Sequence, residues 1–395
     1  MESSVISRLS QSKFINLILI GALVCSILSL ILFGVVGIGR LSEFSYDYGI
    51  LYKAGRDWLN NTNPYLNESD NIFAYPPNFS FFLVPLALLN FGMSKYCMAL
   101  LNIISILSIV WISCLTIVKN SPDNSRLKCL LLASFIIGNP FTTHNVWMGQ
   151  TSLVLLASLM GAWHLSHQNR WLLSGILLGI SSFKPQLAIL LFVWFLLERN
   201  WKILVTSLVT FFLMSYYPLL TQGPVEMMRL WIDDGLGSYL TVDVNVLGSQ
   251  HVVGLASMLN AAGIDVPSLK IVGVVLTAIL WVFRKRFNSY DILGILFGIS
   301  LTFVSGHDYD YICLIPLITS LLIYTKDRSN LWVWLPSLIF LLIVPQRFVR
   351  VLSIPVLNHW RTLIVVTLSV LVLLSSLSYL RAEETDEGLV FQGGK

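Results

Sequence analysis

Long apolar runs alternate with short polar breaks along nearly the whole chain. The first run is Phe14 to Ile38. A mixed stretch follows, and then runs at 79–91, 97–118, 129–147, 151–166, 171–198, 203–220, 268–283, 290–305, 311–325, 331–345 and 361–380. A helix of about 20 apolar residues crosses a bilayer, so the pattern predicts an all-α polytopic membrane protein. The breaks carry charge on alternate sides. Arg8 and Lys13 precede the first run, and basic breaks follow at Lys119 to Lys128, His167 to Arg170, Arg199 to Lys202, Arg284 to Arg286 and Lys326 to Arg328. Cytoplasmic loops hold the excess of Lys and Arg, so all of these are expected on one side, with the N-terminus.

That constraint decides two ambiguous stretches. Between Arg40 and Lys119 the chain must cross an odd number of times. Tyr96 to Val118 is then the second span, and Pro77 to Phe91 is an interfacial or re-entrant helix on the outer side. Between Arg170 and Arg199 the crossings must be even, so 171–198 splits at Phe183-Lys184-Pro185-Gln186. Pro185 removes a backbone donor and clashes with the preceding turn. Each half falls well short of the ~20 residues of a crossing. Lys184 is therefore expected below the membrane surface, in a cavity open to the outside, since charge at that depth survives only against protein or water. The count is about twelve spans with both termini inside. The long loops 39–95 and 221–267 face outward, as do breaks around Gln150, His307 to Asp310, and Gln346 to Arg361. No repeat or soluble domain interrupts the pattern. Residues 1–381 read as one membrane domain and 382–395 as a cytoplasmic tail. The end of that tail resembles a protease-site remnant and is set aside.

Composition agrees. Of 395 residues, 55% are hydrophobic and 12% charged, against about 25% charged in soluble proteins; mean hydropathy is +0.75. A soluble domain this apolar could not cover its own surface, which excludes a cytosolic enzyme, a disordered regulator and a nucleic-acid reader. The net charge of +4 belongs to the cytoplasmic loops and implies no polyanionic partner. Cys25, Cys114, Cys129 and Cys313 lie in apolar runs and Cys97 beside one; without CxxC or a Cys/His cluster, no zinc site is expected. The first run is too long for a cleaved signal peptide. Sequons at Asn60, Asn67 and Asn78 matter only in a eukaryotic secretory membrane.

In so uncharged a chain, ionisable residues beside apolar runs mark candidate chemistry. Asp47 opens a stretch in which Ile50, Leu51, Ala54, Trp58 and Leu59 recur at helical spacing, opposite Lys53, Arg56, Asp57 and Asn60. This is an amphipathic helix along the outer interface. At its start, Asp47 reads equally as an N-cap or as a general base. Asn63-Pro64-Tyr65 and Tyr75-Pro76-Pro77 are turn chemistry leading into an apolar helix. Lys184, with Gln186, is a mid-depth cation that suits a buried ion pair or a phosphate. In Gly306-His307-Asp308-Tyr309-Asp310, His307 can bind phosphate, shuttle a proton or bond Asp308. Two carboxylates two residues apart are a weak metal signal, and no metal or other cofactor is expected. Arg347 and Arg350 face outward against the charge trend, as though to meet a phosphate. Together, one carboxylate and several cations on one face suit transfer from a lipid-phosphate donor. The base takes the acceptor's proton, and the cations stabilise the leaving phosphate.

These residues resemble the GT-C glycosyltransferases: an Asp and Tyr after the first span, then Asn-Pro-Tyr, then Tyr-Pro-Pro before an apolar helix. The further order Gly149-Gln150, Lys184-Pro185 and His307-Asp308-Tyr309 is similar to glycosyltransferase family 87, over about residues 40–310. That family includes polyprenyl-phosphomannose-dependent mannosyltransferases and related arabinofuranosyltransferases. The resemblance implies a GT-C fold and an inverting transfer from a polyprenyl-phosphate sugar, without a nucleotide sugar. The acceptor would be a hydroxyl of a glycolipid or glycan, with mannose the first expectation and arabinofuranose the second. It implies Asp47 as general base, Lys184 and His307 at the donor phosphate, and Tyr75 to Pro77 on the acceptor side. Tyr48, Gln150, Gln186 and Asp308 are expected at the substrates. Arg347 matches no motif and rests on charge alone; Tyr48 stands where Phe is more usual. The setting implied is a bacterial inner membrane, with the site facing the exterior. A transporter or flippase is the competing class. It would share the composition and the mid-depth polar groups, but its paired broken helices have only one counterpart here, at Lys184-Pro185.

Overall fold

The computed structural model describes residues 24–392, apart from 25, 41–45, 67–71, 305, 326–330 and 353. Arg8, Lys13, most of the first predicted span, Cys25, Asn67 and Lys326 to Arg328 lie outside the described residues. The end of that first span, Ser26–Ile38, is helical.

The described chain is almost wholly helical. Helix α1 (Tyr46–Leu59) buries Tyr48, Leu51, Ala54 and Trp58 and exposes Lys53 and Arg56, the amphipathic division expected from its sequence. After Pro77 presets a 3₁₀ turn, the short α2 (Ser80–Ala87) packs along α1, and Asn90 caps α3 (Phe91–Asn120) by accepting from the Met93 N–H at 2.9 Å. Next come α4 (Ser125–Gly138), α5 (Pro140–Met148) and α6 (Ser152–Ser166). The run 129–147, expected as one span, is broken at Asn139-Pro140. Pro140 cannot donate to the preceding turn, and the Asn139 side chain caps α5 through the Thr142 N–H. Helices α5 and α6 meet at a 115° bend.

The split at Lys184 is as expected: α7 (Trp171–Ser181) and α8 (Pro185–Leu197) are separate short helices with Pro185 in the first position of α8. Helix α9 (Trp201–Met214) continues into α10 (Tyr216–Gln222) through a 62° bend. The segment that follows holds α11 (Pro224–Arg229), α12 (Gly237–Thr241), strand β1 (Val252–Val253) and α13 (Leu255–Ala261). Then follow α14 (Lys270–Val282), α15 (Ser289–Ile299) and strand β2 (Gly306–His307). The chain ends with α16 (Ile315–Tyr324), α17 (Leu331–Ile343), α18 (Gln346–Arg350) and α19 (Trp360–Gln392). The last helix carries on through most of the segment read as a tail. Strands β1 and β2 pair antiparallel, Val252 opposite His307 and Val253 opposite Gly306.

Among the described residues, two helices are long and apolar enough to cross a membrane alone, Phe91–Asn120 and Pro355–Ser378, or up to four if each bent pair is one span. The other apolar helices have 10–17 residues. They do not supply twelve full-length crossings. The core lies where α6, α8, α15 and α16 come together, around Leu155, Leu159, Trp163, Leu190, Leu293, Leu317 and Leu321. Helix crossings are close where side chains are small. In α7, a Cβ on Gly175 would sit 2.5 Å from Thr206 Cβ, and one on Gly179 2.6 Å from Thr210 Cβ. This four-residue spacing of small residues lets α7 and α9 approach backbone to backbone.

A Gly175→Val change therefore forces the α7–α9 crossing apart. A loss of about 1–3 kcal/mol is expected, read as a fall in the midpoint of thermal unfolding in detergent. Gly92→Ala, whose Cβ meets nothing nearer than Asn90 Oδ1 at 3.5 Å, is the comparison and should leave the midpoint unchanged or raised.

Candidate functional site

Three chain breaks meet at one place: the α5–α6 bend, the α7–α8 break, and the turn after β2. Each leaves backbone groups without helical partners, and each brings polar side chains to satisfy them. At the first bend Gly149 has φ +70°, and a Cβ there would strike the Tyr48 Cβ at 2.5 Å. The bend needs glycine for both reasons. Buried Asn145 and Asn102 hold it. Asn145 accepts from the Ser152 N–H at 3.2 Å and donates to the Tyr309 carbonyl at 3.0 Å; Asn102, from the middle of α3, donates to the Gln150 carbonyl at 3.1 Å.

Lys184, at the second break, reaches the other two. Its ammonium donates to Ser152 Oγ at 2.8 Å and to Asp310 Oδ1 at 3.1 Å, with side-chain exposures of 4% for Lys184 and 0% for Asp310. Ser152 Oγ itself donates to Asp310 Oδ1 at 2.6 Å, and the His307 backbone N–H donates to Asp310 Oδ2 at 2.8 Å. Both carboxylate oxygens are thus occupied. Burial alone would raise the pKa of Asp310, but Lys184 and His307 hold its carboxyl below the usual range. The Lys184 ammonium also lies 4.7 Å from the centre of the Tyr309 ring.

Asp47 sits in the first turn of α1, half-buried, and accepts from the Gln150 side-chain amide. Tyr75 completes this corner. Its hydroxyl lies 3.3 Å from Gln150 Oε1 and 3.2 Å from Thr151 Oγ1. Among the described residues, the second carboxylate oxygen of Asp47 takes no hydrogen bond. Burial raises its carboxyl above the usual range, against the pull of Gln150 and Lys184.

His307 has both ring nitrogens engaged. Nδ1 lies 3.3 Å from the His251 carbonyl, and Nε2 lies 2.5 Å from the Tyr239 hydroxyl. A carbonyl only accepts, so Nδ1 carries the proton and Nε2 accepts from Tyr239. Burial outweighs Asp310 and lowers the histidine's pKa, which favours the neutral imidazole.

The structure thus brings Asp47, Tyr75, Gln150, Lys184 and His307 together and sets other expected residues apart. The Tyr48 hydroxyl turns away to Ser94 on α3. Gln186 enters α8 half-buried, its backbone carbonyl accepting from Ser300 at 3.3 Å. Asp308 lies 3.6 Å from Arg361, not on His307. Arg347 is exposed on α18 with its guanidinium over its neighbour Phe348. A cation held inside the fold is instead Arg361, 6% exposed, among Phe141, Tyr311 and Trp360 and donating to the Leu342 and Val344 carbonyls. Its signal in the sequence was a basic residue opening the last apolar run. Asp310, Ser152, Asn145, Asn102 and Tyr239 were likewise not expected in these roles. Of the sequons, Asn78 is fully buried and donates to Ser182 Oγ at 2.9 Å, a packing residue.

The family model of glycosyltransferase family 87 matches residues 73–305, more than half of the 395 residues. The chain belongs to glycosyltransferase family 87. It is a glycosyltransferase built on apolar helices, an integral membrane protein, and this decides between the two classes that composition left open. The family 87 match takes in Tyr75, Gln150 and Lys184; Asp47 and His307 flank it. No curated protein and no solved structure matches the chain.

The ion pair gives a direct test. Lys184→Met leaves a buried carboxylate unpaired, and a loss of about 3–5 kcal/mol is expected. The double change Lys184→Met with Asp310→Leu should recover most of it in thermal unfolding. Because the pair lowers the carboxyl of Asp310, its contribution is complete above the ordinary Asp range near pH 4 and is lost as pH falls below it. The difference between wild type and Lys184→Met should shrink at acid pH, where the carboxyl is protonated in both.

Proposed function

We propose that this chain is an inverting glycosyltransferase that moves a sugar from a polyprenyl-phosphate donor to a hydroxyl of a glycolipid or glycan. The sugar is mannose in the first instance and arabinofuranose in the second, and the reaction takes place on the outer side of a bacterial inner membrane. The observation that carries the reading is the Asp47 carboxylate. One oxygen is tied by Gln150, the other has no partner among the described residues, and a cation stands nearby.

In the proposed reaction the acceptor hydroxyl bonds the open oxygen of Asp47. The carboxylate takes the proton as the hydroxyl oxygen attacks the anomeric carbon. The bond from that carbon to the phosphate oxygen breaks on the opposite face, which inverts the centre, and the polyprenyl phosphate leaves with the electron pair. A carboxylate held above its ordinary range is the stronger base for this step. A phosphate leaves without protonation, so the donor side needs positive charge rather than an acid. Lys184 supports that role. Two of its three N–H groups are used by Ser152 and Asp310, and the ammonium otherwise faces the Tyr309 ring at 4.7 Å. Neutral His307 acts there by orienting the Tyr239 hydroxyl. The exposed Arg347 has no geometric support as a phosphate ligand. A lipid-borne donor accounts for a polar site surrounded by apolar helices.

The test is a transfer assay in lipid vesicles. The purified protein receives radiolabelled polyprenyl-phosphate mannose, then the arabinofuranose analogue, with a membrane lipid extract as acceptor pool. Wild type is expected to transfer or slowly hydrolyse one donor. Asp47→Asn should fold normally and lose about 10²- to 10⁴-fold in rate. An active Asp47→Asn protein overturns the base assignment.

A further inference from the structure

Gln150 stands among the candidate substrate contacts by its position in the motif order. Its surroundings point elsewhere. The residue sits on the α5–α6 bend, whose backbone is fixed on three sides. The Gln150 N–H donates to the Asn145 carbonyl at 2.8 Å, its own carbonyl accepts from Asn102 at 3.1 Å, and the preceding Gly149 packs against Tyr48. Its side chain is 5% exposed and has both ends committed. Oε1 faces the Tyr75 hydroxyl at 3.3 Å, which orients the amide so that Nε2, and not Oε1, meets Asp47.

We propose that Gln150 is the positioning residue for the general base. Its amide clamps Asp47 Oδ2 so that Oδ1 alone is presented to the acceptor hydroxyl, and Tyr75 locks the amide in that sense. The inference rests on the reading of Asp47 as the base. Tyr75 belongs to the loop entering α2 and Asp47 to α1, while Gln150 comes from the bend. The clamp therefore joins the two outer-loop segments to the membrane-embedded bend that also carries Ser152. It serves a second purpose. An amide donating to a carboxylate stabilises the charged form, and here it offsets part of the rise that burial causes at Asp47. The other titratable group that acts on Asp47 is the Lys184 ammonium, and Tyr75, Tyr239 and Tyr309 are the neighbouring groups that feel the Asp47 charge in turn. Lys53, Arg56 and Asp57 lie further along α1, with Lys53 and Arg56 exposed.

The experiment is the pH profile of kcat and of KM for the donor in the vesicle assay, for wild type, Gln150→Leu, Gln150→Glu, Tyr75→Phe and Asp47→Asn. In Gln150→Leu, kcat should fall about tenfold to a hundredfold near neutral pH with KM little changed. The acid limb of kcat/KM should move to higher pH by about one pH unit, a tenfold change in proton affinity. The sign follows from the loss of a donor to the carboxylate. Gln150→Glu should move the limb further, because two adjacent carboxyls share a proton. Tyr75→Phe, which frees the amide without removing it, should give a smaller change in the same direction, and it stands as the test if Gln150→Leu does not fold. A limb unmoved in all three variants, with lower kcat at every pH or a raised KM, overturns the proposal and returns Gln150 to a structural or substrate-binding role. An active Asp47→Asn protein overturns the base reading itself, so the two failures are separate.

Discussion

The buried contact of Lys184 with Asp310 and Ser152 is the constraint on which the rest of the site depends. A lone ammonium or carboxylate inside an apolar bundle costs several kcal/mol, and neither residue has water to turn to. Each resolves the other, at 3.1 Å, and Ser152 bridges them. The three residues come from three separate interruptions of helix. The bundle can therefore accept broken helices at this depth only if the breaks coincide, because their unpaired backbone groups must find partners in one another.

That coincidence makes the corner of the site. With the α5–α6 bend fixed by Asn102 and Asn145, Gln150 meets Asp47 from α1 and Tyr75 from the following loop. With the turn after β2 fixed by Asp310, His307 is held between β1 and Tyr239. The pair also sets the electrostatics. The Lys184 charge is balanced by Asp310 and faces the Tyr309 ring, so the buried ammonium is compensated within the fold.

Much of this was legible in the residues. The amphipathic α1, the short α2 after Pro77, the long α3 and the split at Lys184-Pro185 each follow from local causes: helical spacing of apolar residues, proline at a helix start, and the charge of flanking loops. Asp47, Tyr75, Gln150, Lys184 and His307 stood out because polar residues beside apolar runs are costly. The breaks at Asn139-Pro140 and Ser215 were hidden inside uniformly apolar runs, where hydropathy does not distinguish one bent helix from one straight one. Arg347 misled because its charge sits where charge is unusual, whereas its side chain simply remains on the surface. Arg361, adjoining an apolar run, was the cation the fold buried.

The sequence by itself determined that this is a helical membrane protein, where its polar interruptions lie, and the small set of ionisable residues beside its apolar runs. Those properties are local: they depend on the transfer cost of each side chain and on backbone chemistry at proline, glycine and asparagine. Only the tertiary structure decided which interruptions touch. It paired Lys184 with Asp310 across 126 residues and Asp47 with Gln150 across 103, set the His307 ring between Tyr239 and the His251 carbonyl, turned the Tyr48 hydroxyl to Ser94, and left Arg347 on the surface. Partner choice in an apolar interior is set by helix packing at distances no sequence period records, and packing alone determines which buried charge finds which.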